Sequence, residues 1–175
     1  MWDAAKRASQ TIKSEAASRG TALHRAIEDS FSDGGVQQTS DVVLALRDWL
    51  SSQKLRVEEN ERKVYSRRYR YSGTLDCIAR DNDATYLLDW KTGSNIYVEH
   101  LLQTAAYQFA FEEETGLKID KRIVVHVVGG NFEPYIFGRE TFKPHLAAFL
   151  GLLQAFNKLK RVEKDLKLVK NLPAL

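Results

Sequence analysis

Two strand-like runs, 69–76 and 84–91, flank the turn-rich stretch Arg80-Asp81-Asn82-Asp83, and this arrangement constrains the chain more than any other feature. Each run carries an aspartate at its far end: Asp76 in Gly73-Thr74-Leu75-Asp76, and Asp89 in Asp89-Trp90-Lys91. A hairpin closing on that turn brings both carboxylates to one place at a sheet edge. Lys91 lies two positions past Asp89 and points to the same side, because strand side chains alternate with period two. Aspartate is disfavoured in strands, yet Asp89 sits inside the apolar run Tyr86-Leu87-Leu88. A buried acid there needs a compensating partner. Two acids and a lysine at one point suit a hard divalent cation with water beside it. The competing reading is a pair of turn-flanking acids and a surface lysine.

The remaining elements follow from periodicity and breakers. The segment 3–18 reads as a helix, and Gly20-Thr21 restarts it, with Thr21 as N-cap and Leu23, Ile27 and Phe31 as its apolar stripe. Ser40-Asp41 opens another helix, with Val42, Leu46 and Leu50 along one face. An extended segment covers 55–65. A helix over 99–114 is closed by Thr115-Gly116. The β-branched run 122–128 predicts a buried strand, 135–137 a further strand, and the spacing of Leu146, Phe149, Leu153 and Phe156 a last helix. Helices, three strands, a helix, two strands and a final helix predict an α/β fold with a mixed sheet flanked by helices. At 175 residues, without repeat or linker, one domain is expected over 1–175.

Four motifs stand in order: His24 after Gly20-Thr21, Gly73-Thr74-Leu75-Asp76, Asp89-Trp90-Lys91, and Gln103-Thr104-Ala105-Ala106-Tyr107. Together, across roughly 18–130, they resemble the PD-(D/E)XK nuclease superfamily. Within it they are similar to the RecB-type branch of RecB and AddB nuclease domains, CRISPR adaptation nucleases, mitochondrial genome maintenance exonuclease and phage exonucleases. The resemblance implies a restriction-endonuclease-like αβββαβ core. It also implies a metal held by His24, Asp76, Asp89 and the Trp90 carbonyl, and catalytic roles for Asp76, Asp89, Lys91, Gln103 and Tyr107. Magnesium takes oxygen ligands, and an imidazole in the set suits manganese while permitting magnesium. Lys91 orients and deprotonates the attacking water or neutralises charge on the phosphate. Gln103 and Tyr107 are one helical turn apart and share a face; alternatively, Tyr107 packs in the core beside Phe111. His24 on its own reads equally as a hydrogen-bonded core residue.

Charge is mild overall, at +3, and uneven. In 67–71, Arg68 and Arg70 alternate with Tyr69 and Tyr71, so a strand would put cations on one face and rings on the other. With the lysine-rich 158–170 stretch they form a candidate groove for phosphates, or simply a solvated face. Tyr107 is a further candidate contact to the nucleic acid, through its hydroxyl or by stacking. The single Cys77 excludes a disulfide framework and an iron–sulfur cluster, which takes about four cysteine ligands. No apolar run reaches the ~18 residues that span a membrane, which leads to the expectation of an intracellular, cytoplasmic protein, consistent with a phage gene product. No phosphate-binding loop is present, so any helicase or recombination partner lies on another chain. The expected activity is a Mg²⁺- or Mn²⁺-dependent deoxyribonuclease, foremost an exonuclease on single strands or duplex ends. The alternatives are a structure-specific endonuclease and a non-catalytic nucleic-acid-binding module on the same scaffold.

Overall fold

The structure is a computed structural model that describes residues 41–128 and 130–170, with side chains as far as 166, together with Ala26. The order is α1 (Asp41–Ser52), β1 (Arg56–Ser66), β2 (Tyr71–Arg80), β3 (Thr85–Lys91), α2 (Val98–Thr115), β4 (Lys121–Val128), β5 (Asn131–Gly138), a 3₁₀ turn (Arg139–Thr141) and α3 (Phe142–Lys170). The five strands lie in one mixed sheet in chain order, with β3 and β4 parallel and every other neighbouring pair antiparallel. A parallel pair needs a crossover, and α2 supplies it. The fold is therefore α/β, with the αβββαβ order followed by an edge strand and a long helix.

Local chemistry sets the β2–β3 hairpin. Asp81 Oδ1 accepts the backbone N–H groups of Asp83 at 2.8 Å and Ala84 at 2.7 Å, forming a side-chain-built turn. Tyr86 Oη donates to Asp81 Oδ2 at 2.6 Å and ties the turn to β3. That bond depresses the Asp81 carboxyl and, aided by burial, pushes the Tyr86 phenol up to about 12.

β3 is buried on both faces, which explains its near-continuous apolar sequence. On one face Leu88 and Trp90 join Cys77, Ala79, Ile123 and Val125 under Leu46 and Leu50 of α1. On the other, Leu87 joins Val64, Leu75 and Ile78 under Ala110 and Phe111 of α2. Small residues at Thr104, Ala105, Ala106 and Ala110 let α2 approach the sheet closely. Gly116 ends that helix in the left-handed region at φ 72, its N–H bonded to the Glu112 carbonyl at 3.0 Å. In α1 the buried stripe is Val43, Leu46 and Leu50, with Val42 only partly covered.

Two expectations about the strands are corrected. β2 begins at Tyr71 and runs on to Arg80, so Asp76 lies inside the strand rather than at its end. Residues 67–70 form the β1–β2 turn, with Arg70 at φ 56, so Arg68 and Arg70 do not share a strand face. The turn forms there because Ser66 caps it: its carbonyl accepts the Arg70 N–H at 2.8 Å and its hydroxyl accepts the Tyr69 N–H at 3.1 Å.

Candidate functional site

The β2–β3 ladder runs from Arg80↔Thr85 to Cys77↔Leu88 and stops. Beyond it, β2 stays paired with β1 while Asp89, Trp90 and Lys91 pair with β4. The strands thus fork at Asp76 and Asp89. Both β2 and β3 are interior strands, so the acids meet in the middle of the sheet, not at the edge expected from a free hairpin. Asp89 is 1% exposed and Asp76 7%, which makes them core residues by burial.

Each acid is held. Asp76 Oδ2 accepts the Trp90 N–H at 2.8 Å, taking the place of a ladder carbonyl that the fork removes. Lys91 Nζ lies 2.6 Å from Asp89 Oδ2, on the same side of β3 as alternation requires. The β1 residue opposite Asp76 is Glu61, between the pairs Asn60↔Cys77 and Arg62↔Leu75, and it has φ 48. Alternation also breaks there, since Leu75 and Ile78 pack in one cluster although an odd number of positions apart. A non-glycine residue in this region marks local strain, and here it flanks the acid.

From α2, Gln103 and Tyr107 face the fork. Gln103 Nε2 donates to Tyr107 Oη at 2.8 Å. Burial raises the Tyr107 phenol above its ordinary value; Asp89 and Asp76 push the same way, while the Gln103 bond and Lys91 oppose them. The hydroxyl therefore stays protonated, and having accepted from Gln103 it retains its own O–H to donate. Tyr107 also packs at the edge of the Phe111 cluster, so the core and site placements are both realised. It closes over Gly73: a Cβ there would overlap Tyr107 Cε1 and stand 3.1 Å from the hydroxyl. The glycine of Gly73-Thr74-Leu75-Asp76 is the space that lets the tyrosine reach the acids.

Two histidines beside the fork, His126 and His100, have no place in the sequence motifs. His126 on β4 is the register partner of Lys91, is buried, and donates from Nε2 to the Gly93 carbonyl at 2.7 Å. Its Nδ1 lies 3.6 Å from Glu133 Oε2. His100 on α2 accepts the Tyr97 N–H at Nδ1 at 3.2 Å. Burial and then Lys91 lower its pKa, partly offset by Asp89 and Glu99. Neither lies in a recognisable motif; the signal available was a polar residue inside the apolar run 122–128.

The structure brings together Asp76, Asp89, Trp90, Lys91, Gln103 and Tyr107. His24 lies outside the described residues. Among those described, no cluster of three or more His, Cys, Asp or Glu side chains forms. The donors at the fork are two buried carboxylates, one of them beside the Trp90 backbone. Such a hard-oxygen set fits magnesium or manganese, which complete their shells with water and substrate oxygens.

Arg68 and Arg70 stand apart from the fork. They line a cavity of about 710 Å³ with Lys158 and Arg161 of α3. Arg68 also lies over the Tyr69 ring at 5.3 Å, and Tyr69 packs on Phe109 at 5.0 Å. The turn and the helix thus gather the cations that a strand face does not.

No family model and no curated protein matches the chain. Among solved structures it is similar to one titled "Crystal structure of SSO0001", at 20% identity and a TM-score of 0.37 over 62% of this chain and 56% of that one. The chain thus spans about half the length of that protein. So slight a likeness bears on neither family nor function. Among the described residues no helix is long and apolar enough to cross a membrane.

Proposed function

We propose that the chain is a divalent-cation-dependent deoxyribonuclease, acting as an exonuclease on single strands or duplex ends. The observation that carries this reading is the meeting of two buried carboxylates at the β2–β3 fork, with the Lys91 ammonium 2.6 Å from one of them. Buried charges are paired or coordinate metals, and these two acids adjoin an ammonium and a backbone N–H that can share them with a cation. The PD-(D/E)XK resemblance of the motifs supports the same reading.

Asp76, Asp89 and the Trp90 carbonyl would hold Mg²⁺ or Mn²⁺, with His24 as a further ligand. When bound, the cation supplies charge stabilisation at the phosphoryl group and makes water more acidic. Lys91 holds the attacking water in line with phosphorus or neutralises charge on the phosphate oxygens. The Tyr107 O–H donates to a non-bridging oxygen, and Gln103 fixes its direction. Arg68, Arg70, Lys158 and Arg161 take the flanking phosphates.

Purified protein is incubated with labelled single- and double-stranded DNA, ends free or blocked, in Mg²⁺ and Mn²⁺. Metal-dependent loss of end-free strands with blocked strands intact is expected. Cleavage of blocked strands would make it an endonuclease. The alternative is a non-catalytic DNA-binding module on the same scaffold. Strand binding without cleavage in either metal would establish that instead.

A further inference from the structure

We infer that the cleft between α2 and α3 takes one unpaired nucleobase of the strand being cut; this rests on the nuclease reading and adds a base-binding site to it. The cleft has a volume of about 400 Å³ and is walled by Tyr71, Leu102, Phe149 and Phe156, with Gln103 and Tyr107 at the end nearest the acids.

Its aromatic wall is built rather than accidental. Tyr71 Oη donates to the Ala106 carbonyl at 2.7 Å, and the Tyr71 ring meets Phe149 edge-on at 5.0 Å. The hydroxyl is committed to the helix backbone, which leaves an immobilised ring as the cleft surface. Across the cleft, Phe156 and Leu152 are more than half exposed. The lining is mostly apolar, with Ser72, Glu99, Gln103 and Tyr107 as its polar members, and its flat aromatic wall suits stacking, which every base can satisfy with its π-face.

Charge and size select the occupant. Leu153 lines both this cleft and the cationic cavity of Arg68, Arg70, Lys158 and Arg161, so the two cavities adjoin. A ligand that fills both presents flat apolar rings on a polyanionic backbone, which is the chemistry of nucleic acid. A cleft at the small end of the roughly 300–1,000 Å³ range of ligand sites admits one ring system. A base held in a duplex stack cannot enter it. Seating the base against Phe156 would set its phosphate near Tyr107 and the fork, so the site selects an unpaired strand.

The test uses the full chain and a series of end-labelled single strands in which one abasic residue is moved a nucleotide at a time. Binding is measured in Ca²⁺, after checking that it supports no cleavage, and turnover in Mn²⁺. One position is expected to weaken binding by about 5- to 150-fold when the base is missing, the range for loss of one base–aromatic stack. Phe156→Ala should weaken intact strands similarly and abolish the positional effect, and Phe156→Trp should restore both. Cleavage with equal affinity for all abasic positions would overturn the base site and leave the nuclease reading standing. A positional effect without cleavage in any metal would keep the base site and overturn the nuclease. Lower thermal stability in Phe156→Ala with an unchanged positional effect would assign the cleft to protein packing and overturn the inference.

Discussion

The Trp90 backbone N–H donates to the Asp76 carboxylate at 2.8 Å, at the point where β2 and β3 part. The acid is therefore an element of the sheet as well as a candidate ligand. This dual use explains how a charged group survives at 7% exposure in the core, and it separates stability from chemistry in the variants that follow.

Asp76→Asn retains an oxygen to accept from Trp90, so stability should change by less than about 1 kcal/mol while cleavage is lost. Asp76→Ala leaves a buried N–H without its acceptor and should cost about 1–3 kcal/mol besides. Urea unfolding and Mn²⁺ calorimetry on the same samples separate the two effects. Wild-type cleavage by Asp76→Asn at any Mn²⁺ concentration would remove Asp76 from the site.

A methyl group at Gly73 would collide with the Tyr107 ring. Gly73→Ala should cost about 1–3 kcal/mol of stability through overpacking, and should slow cleavage by displacing the Tyr107 hydroxyl. Tyr107→Leu frees that space, so the double variant should be more stable than the sum of the two single changes predicts. Strict additivity would mean that the two residues do not touch. Tyr107→Phe, by contrast, should slow cleavage with little change in stability.

His126 anchors the loop that follows Lys91 through its bond to the Gly93 carbonyl. His126→Ala should lower kcat on the order of 10- to 100-fold by misplacing the lysine, with KM for DNA nearly constant. His126→Gln, which still carries an N–H donor, should recover part of the loss. A rise in KM at constant kcat would place His126 on the DNA path instead.

Arg68 and Arg70 face Lys158 and Arg161 across one groove. Log affinity for a single strand falls against log salt with a slope of roughly −0.7 per neutralised phosphate. Removing both arginines should flatten that slope by about one to one and a half and weaken all sequences alike. An unchanged slope would move the backbone contacts to the Lys158–Arg161 side alone.

Acid should destabilise the fold before it protonates the carboxylates. His145 Nδ1 lies 3.1 Å from Arg122 Nη2, so it accepts and must be unprotonated. Burial and then Arg122 lower the His145 pKa, and burial and then Lys91 lower that of His100. The folded state thus binds these protons less tightly than the unfolded chain. Stability is full above about pH 6.5 and falls as the pH drops through the folded pKa values. Melting temperature against pH should show this fall, and His145→Asn should reduce it. An identical profile in that variant would exclude His145 as a contributor.

Local geometry made much of this protein legible from its sequence. Period-two alternation sets Asp89 and Lys91 on one side of β3, and one helical turn sets Gln103 beside Tyr107. The Asp81 turn fixes the hairpin that brings the acids close. Each of these depends on neighbours a few residues apart, where chain stereochemistry decides. Tertiary structure alone decided that β4 would pair with β3 beyond Leu88, turning a hairpin end into an interior fork. It also decided that Tyr107 would fill the space above Gly73, that His126 would reach Gly93, and that a turn and the last helix would share their cations. Those relations join segments far apart in the chain, and they arise only when burial of two apolar sheet faces fixes which strands and helices lie side by side.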